Sequence, residues 1–312
     1  MTTTLYISSQ ELQLVAGDDN GKAFSVSKYA SMPIASGMIT GGVIVEPEGI
    51  ATSLEALLNE QKIQRKNLQL VIDNDTALIR IMDVPIVSDK DLRLLIRNEM
   101  AGQSVGSGIL LYDYTVLQPK LEGGGGKILA CAVEKELVAS YLTMFNNIGI
   151  KLDGINLAIA SAIRVTQAIP DLAEKTYILA VLDGSNIFSL LFIDGNYHFS
   201  TRGILMEQRG TVAAATEISR SLTSLSQFNA SQRTGQQPLS DAYICGLQGE
   251  ETEFLSDISA SLGIETGLLP DIPTMGGAFS QEEAVHSPRA LPACLRAHPH
   301  RRPCARHQAS FC

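Results

Sequence analysis

Short apolar blocks separated by turn-forming residues make the same layout twice along the chain. Tyr177-Ile178-Leu179-Ala180-Val181-Leu182 and Ile187-Phe188-Ser189-Leu190-Leu191-Phe192-Ile193 flank Asp183-Gly184-Ser185-Asn186, the pattern of a β-hairpin. Asp194-Gly195 separates a third strand, Tyr197 to Arg202, before Gly210 opens a helix carrying Thr216 to Leu222. Near the N-terminus Leu5-Tyr6-Ile7, a turn at Ser8-Ser9-Gln10, Leu12 to Val15, a turn at Gly17 to Gly21 and Phe24 to Ser27 repeat that meander. A meander recurring half a chain later predicts an internally duplicated α/β fold with a cleft between its halves. The two first hairpins would face that cleft, where tight turns offer backbone N–H groups to nucleotide phosphates.

Between the meanders, Gly37 to Gly49 is glycine-rich and holds a short strand at Val43-Ile44-Val45, and Ala51 to Gln61 places Leu54, Leu57 and Leu58 on one helical face. Strands are then predicted at Leu68 to Ile72 and Ala77 to Met82. Ser88-Asp89-Lys90-Asp91 has capping-box spacing, with Asp in place of Glu, ahead of a helix whose apolar face is Leu92, Leu95, Ile96 and Met100. Strands at Leu110 to Leu117 and Lys127 to Val133 and a helix from Glu134 to Asn147, closed by Gly149, complete a β-β-α-β-β-α block compact enough to be an insert. Gly123 to Gly126 followed by Lys127 is not a P-loop: position 121 is Leu, no Ser or Thr follows the lysine, and a strand comes next. It reads as a hairpin loop.

A helix from Leu157 to Ala168 leads into the second meander. Beyond that meander's helix, Ser231 to Leu239 is a polar surface loop. Strand Ala242 to Cys245 runs into Gly246-Leu247-Gln248-Gly249 and a helix through Phe254, Leu255, Ile258 and Leu262 to Gly263. Strand, glycines and helix suit a phosphate or adenosine rest, and equally a β-α turn that needs glycine for its own geometry.

Composition narrows the function. The chain has 312 residues, 45% hydrophobic and 5% aromatic, which suits one large or two medium domains with aliphatic cores. Five of the 24 basic residues and none of the 33 acidic ones lie after residue 286, so residues 1–286 carry a formal −14. That balance opposes nucleic-acid binding, which needs a basic stripe. No apolar run approaches the roughly 20 residues of a bilayer span, and Met1-Thr2-Thr3-Thr4 lacks a signal-peptide pattern, so a cytoplasmic protein without direct membrane insertion is expected. Cys131 and Cys245 sit in apolar strands as small hydrophobes, and His198, between Tyr197 and Phe199, reads as a strand residue.

The pattern resembles the PilM family, actin-like proteins of type IV pilus and competence machines, with the division protein FtsA a more distant relative. The resemblance spans about residues 1–284. It rests on Ile44 to Ile50, on Ile81-Met82-Asp83-Val84-Pro85 leading into Ser88 to Leu92, on Asp113 to Leu117, on Asp194-Gly195 with Thr201-Arg202, and on Glu217 to Leu222. It implies an actin-like (ribonuclease H-like) duplicated fold with an inserted α+β subdomain. The layout is then a first lobe at 1–66, an insert at 67–150, a return helix at 151–176, a second lobe at 177–284 and an atypical basic tail at 285–312.

By the same resemblance ATP would contact Ser8, Ser9, Gln10, Asp183, Gly184, Ser185, Glu217, Arg220, Gly246 and Gly249. Glu217 and Arg220, i and i+3 on one helix, would clamp ribose or adenine, or simply form a solvated ion pair. The family's first hairpin reads Asp-x-Gly with a lysine further on, where this chain has Tyr6, Ser8 and Gln13. The missing carboxylate counts against Mg²⁺ and hydrolysis and predicts a degenerate ATPase, with no catalytic residue assigned.

The implied role is a cytosolic scaffold of a pilus or competence machine, held at the inner face of the membrane by partners. A PilN-like membrane protein would dock its N-terminal peptide between the first lobe and the insert, over Ile79, Ile81, Leu95 and Met100, and other pilus assembly components would bind besides. Leu95 and Met100 also read as ordinary insert core. Two alternatives are a kinase-type enzyme of the same superfold, which would need an acid on the first hairpin, and an FtsA-like tether, which would need an amphipathic C-terminal helix. The tail holds four of five His, three of five Cys and four of twelve Pro, a composition foreign to the fold and consistent with a frame error. Its other reading is a zinc site of Cys294, His298, His300 and Cys304.

Overall fold

The structure, a computed structural model, describes residues 2–20, 23–101, 108–121, 123–231, 238–247, 249–270, 272 and 275–277. Its contacts divide the chain into two compact units, the first holding residues 2–20 and 27–162 and the second residues 23–26 and those from 163 onward. The tail and its Cys294, His298, His300 and Cys304 lie outside the described residues, as does most of the Ser231 to Leu239 loop.

In chain order the strands and helices begin Thr2–Ile7 (β1), Glu11–Asp19 (β2), Phe24–Pro33 (β3), Ile39–Thr40 (β4), Val43–Ile44 (β5), Pro47–Glu60 (α1), Leu68–Ile72 (β6), Leu78–Val84 (β7) and Asp89–Met100 (α2). They continue with Leu110–Gln118 (β8), Gly126–Glu134 (β9), Lys135–Asn147 (α3), Leu152–Leu157 (β10) and Ala158–Gln167 (α4). Helix α1 starts earlier than its leucines predict, because Pro47 at the first helical turn has no N–H to lose and a φ already suited to a helix.

The main sheet of the first unit runs β10-β6-β1-β2-β3. Strand β1 pairs antiparallel with β2 and parallel with β6, which in turn pairs parallel with β10. Register puts Leu14, Leu5, Leu70 and Ile155 in one row and Leu12, Ile7, Ile72 and Leu157 in the next, all buried. Period-2 alternation thus gives the sheet one continuous apolar face. Helix α3 packs on α1 and on β10, burying Leu137, Val138, Tyr141 and Phe145, and the Tyr141 hydroxyl donates to the Gly42 carbonyl at 2.8 Å.

A smaller three-stranded sheet, β7-β9-β8, carries α2 on one face. Met82, Val84, Leu92, Ile96, Met100, Ile128, Ala130 and Ala132 make its own core. This corrects the expected insert of 67–150: β6 is the strand between β1 and β10 of the main sheet, and α3 packs on that sheet's helix and edge. Only β7, α2, β8 and β9 make up the small sheet and its helix, and α3 packs on β9 as well. Gly123 to Gly126 joins β8 to β9, as the hairpin reading requires; at Gly125 (φ +83°) a Cβ would come within 2.2 Å of the Val84 carbonyl oxygen.

The second unit continues with Tyr177–Asp183 (β11), Asn186–Ile193 (β12), Asn196–Ile204 (β13), Val212–Ser231 (α5), Asp241–Cys245 (β14), Leu255–Leu262 (α6), Glu265–Leu268 (β15) and Met275–Gly277 (β16). Strands β13-β12-β11-β14-β15 form one sheet, and β16 runs parallel to Phe24–Val26. Ile178, Ala180, Leu182, Leu191 and Ile244 meet Ile218, Leu222 and Leu225 of α5 and Ile258 of α6 in its core. The glycine loop leads into a 3-10 turn, Gly249–Phe254, before α6, rather than into a helix directly. The units divide near residue 162, within α4.

Candidate functional site

The expected nucleotide-binding residues fall in both units. In the first, Ser8-Ser9-Gln10 is the β1–β2 turn, as predicted. Its amides are engaged from within: Gln10 N–H and Glu11 N–H donate to the Ser8 hydroxyl oxygen at 3.2 and 3.3 Å, and Ser8 N–H donates to the Glu11 carbonyl at 3.2 Å. A serine closing its own turn leaves fewer N–H groups for a phosphate. Gln13 is buried; its amide donates to the Glu11 carboxylate at 2.7 Å and its Oε1 has no partner among the described residues.

In the second unit the β11–β12 connection is a two-residue turn, with Asp183 paired to Asn186 and Gly184 at φ +57° in the first central position. Glycine reaches that conformation without the steric penalty other residues meet. Glu217, expected to clamp ribose or adenine, accepts instead from Met206 N–H at 2.9 Å and Glu207 N–H at 3.1 Å. Arg220 is exposed on α5, and no ion pair joins it to Glu217 among the described residues. Gly246 (φ +90°) ends β14 and Gly249 (φ +47°) opens the 3-10 turn.

What joins these elements is Arg209, which sequence reasoning missed. Its Nη1 donates to the Gly184 carbonyl at 3.2 Å, its Nη2 to the Gly246 carbonyl at 2.5 Å, and its Nε to Glu251 Oε1 at 2.9 Å, with a second, shorter contact from Nη2 to Glu251 Oε2. The pair is largely buried, Arg209 at 19% side-chain exposure and Glu251 at 11%. Leu205 N–H donates to the Ser185 carbonyl at 2.7 Å, so residues 205–209 are tied to the hairpin turn, to α5 and to the glycine loop. Nothing local in sequence signals this, since Arg209 and Glu251 are 42 positions apart.

The expected partner-binding residues separate. Met100 is fully buried and Leu95 packs into the core under α2, so both are core residues. Ile79 and Ile81 are half-buried on β7, paired opposite Cys131 and Leu129, on the sheet face away from Met82 and Val84. Cys131 and Cys245 are buried and unbridged, and burial pushes the Cys245 thiol up to about 12, consistent with an inert apolar role. His198 is the extra residue of a bulge in β13, its neighbours Tyr197 and Phe199 pairing with Phe192 and Leu191. Among the described residues no helix is long and apolar enough to cross a membrane.

Residues 4–202, well over half the chain, match the family described as type IV pilus assembly protein PilM. Among solved structures, the PilM–PilN type IV pilus biogenesis complex is similar at a TM-score of 0.77 and 16% identity, covering 96% of this chain and 99% of that one. A Bacteroides thetaiotaomicron protein with an actin-like ATPase fold and unknown function is similar at 0.53 and 8% identity, covering 86% of this chain and 90% of that one. No curated protein matches. At those identities the structural likeness is one of fold, and the fold is actin-like. The family match rests on sequence over the first meander, the three-stranded sheet and the second meander alike, and on that ground the chain belongs to the type IV pilus assembly protein PilM family.

Proposed function

We propose that this chain is a scaffold of type IV pilus assembly that takes up the cytosolic N-terminal peptide of a PilN-type membrane partner and is held at the membrane by it. The observation that carries the reading is β7. It is an outer strand of its sheet, with Ile79 and Ile81 half-buried at alternate positions beside its open edge. An extended peptide can add to such an edge, with backbone hydrogen bonds giving affinity and alternate side chains giving specificity. The similarity of the fold to a PilM–PilN complex supports a partner of that kind. Leu95 and Met100 are no part of this surface.

Adenine nucleotide binding is weak in this reading and turnover negligible, because Tyr6 stands where the first strand would carry the metal-organising acid and two amides of the turn, those of Gln10 and Glu11, donate to Ser8. The test is titration of a fluorescent PilN-type N-terminal peptide against the full chain, Ile79→Asp and Ile81→Asp, each checked for an unchanged fold by circular dichroism. Loss of binding in both variants is expected; binding that survives them moves the site away from β7, and no binding to the unaltered chain defeats the partner reading. For the nucleotide, millimolar Mg-ATP should raise the melting temperature slightly through mass action. Steady hydrolysis abolished by Asp183→Ala would overturn the reading of a degenerate ATPase.

A further inference from the structure

A buried arginine sits against the turn expected to meet nucleotide phosphates. Arg209 has five N–H donors, of which one goes to Gly184, one to Gly246 and two to Glu251. The fifth, on Nη1 beside the Gly184 carbonyl, has no partner among the described residues. The guanidinium is partly open at 19% side-chain exposure, and its position is fixed by groups from three separate segments. A planar fork held in this way, with a donor left over, can give an oxyanion one charge-assisted hydrogen bond as it stands.

Glu251 is the second half of the arrangement. It neutralises Arg209 when no anion is present, and it repels an anion that approaches. A carboxylate sharing a guanidinium with a phosphate would have to give up one of its two hydrogen bonds, which sets the affinity low and makes it adjustable.

We propose that Arg209 is a phosphate-binding residue of the second unit, taking the polyphosphate of a nucleotide at the Gly184 turn, and that Glu251 is its built-in competitor. This rests on the reading of the Asp183–Ser185 turn as a nucleotide contact but adds a cation to it. Arg209 thus brings a cation to the second unit's own turn, at the Gly184 carbonyl. The two glycine carbonyls orient the fork without adding a charge to it.

The experiment measures binding of ATP, inorganic tripolyphosphate and adenosine to the full chain by calorimetry, for the unaltered protein, Arg209→Gln, Arg209→Lys and Glu251→Gln. Loss of a charge-assisted contact should weaken ATP and tripolyphosphate by about tenfold in Arg209→Gln while leaving adenosine unchanged, with Arg209→Lys intermediate. Glu251→Gln, which keeps the side chain's size and one acceptor oxygen while removing the competing charge and freeing an Arg209 donor, should tighten both polyphosphates several-fold. Unchanged ATP affinity in Arg209→Gln overturns the inference and leaves nucleotide binding standing. Tripolyphosphate binding that depends on Arg209, in a chain that binds no ATP, upholds the anion site and removes the nucleotide reading. If Arg209→Gln does not fold, Glu251→Gln decides: equal or weaker polyphosphate binding makes the pair structural only, and no binding of either polyphosphate to the unaltered chain defeats both readings.

Discussion

At the scale of single residues, two features set apart positions that tolerate change from those that do not. Gly195 and Gly149 have nearly the same backbone, φ +71° and +73°, so alanine is strained at both. They differ in space: a Cβ at Gly195 would come within 1.9 Å of the Ala173 carbonyl oxygen, whereas at Gly149 nothing lies within 4 Å. Gly149→Ala should therefore cost about 1 kcal/mol and Gly195→Ala clearly more, roughly 2 kcal/mol or above, because the backbone itself must move. Urea unfolding of the two variants checks this, and equal losses would mean that φ alone sets the cost.

The second feature is charge. Burial alone would raise the Asp241 carboxyl, but hydrogen bonds from the Ser240 hydroxyl, the Lys175 ammonium at 2.9 Å and the Tyr243 hydroxyl outweigh it and hold the group below its ordinary value. Lys175 is raised by its hydrogen bonds to Tyr243 and Asp241. A depressed carboxylate stabilises the fold above its unfolded-state value near 3.8 and loses that contribution as pH falls through the lower folded value. The stability gap between the unaltered chain and Asp241→Asn should thus be full near neutrality and shrink below about pH 4. Unfolding free energies at several pH values measure it; a gap independent of pH would mean that the contribution is not electrostatic.

At the scale of elements, helix α2 shows which local terms matter. The Ser88 hydroxyl accepts from Asp91 N–H at 3.2 Å and donates to the Asp91 carboxylate at 2.6 Å, so the capping-box spacing predicts the cap, although Asp91 binds the serine side chain rather than its amide. Arg93 pairs with Asp89 four residues back at 3.0 Å, but both are substantially exposed. An exposed i, i+4 pair contributes a few tenths of a kcal/mol, whereas losing a serine cap costs about 1 kcal/mol. Ser88→Ala should therefore destabilise more than Arg93→Ala's loss of Asp89, and hydrogen exchange across residues 89–100 should rise first at the helix start. Arg93 also donates to buried Asp113 at 3.0 Å and Asp89 also accepts from the Tyr114 hydroxyl at 2.6 Å, so the surface pair by itself is measured by a double-mutant cycle of the two residues.

Elements that pair with their neighbours in sequence were the legible ones. Both meanders are antiparallel strands joined by Gly- or Ser-containing turns, so period 2 and turn chemistry locate them without knowledge of distant residues. Strand β10 was missed because Leu152-Asp153-Gly154-Ile155-Asn156-Leu157 carries Asp, Gly and Asn, is irregular at Leu152/Gly154, and is held by parallel pairing to β6 more than 80 positions away. The site divides the same way. The Asp183-Gly184 turn is local and was found; the Arg209–Glu251 contact is long-range and was not. Glu217 reads from sequence as a nucleotide contact, whereas its partners in the structure, Met206 and Glu207, lie on a segment with no helical or strand period to place it.

At the scale of the whole molecule, the position of β6 decides how the small sheet can be removed to test its role. Cutting out residues 67–150, the span that the sequence pattern groups together, would delete the strand between β1 and β10 together with α3. That leaves β1 with one open edge and α1 without its packing partner, so the first unit should not fold. Cutting out residues 78–134 instead removes β7, α2, β8 and β9 alone, a piece with its own core of Met82, Ile96, Met100 and Ile128. The cut ends lie close together, because Leu78 pairs with Ala132 in the antiparallel ladder and such partners sit about 5 Å apart. A linker of two or three glycine and serine residues can therefore join Ala77 to Lys135. The shortened chain should melt cooperatively but at a lower temperature, since α3 also packs on β9 and loses that cover. It should no longer bind a PilN-type peptide if β7 is the docking edge. Cooperative melting of the 67–150 deletion would show that the main sheet does not depend on β6, and peptide binding retained by the 78–134 deletion would place the partner elsewhere on the protein.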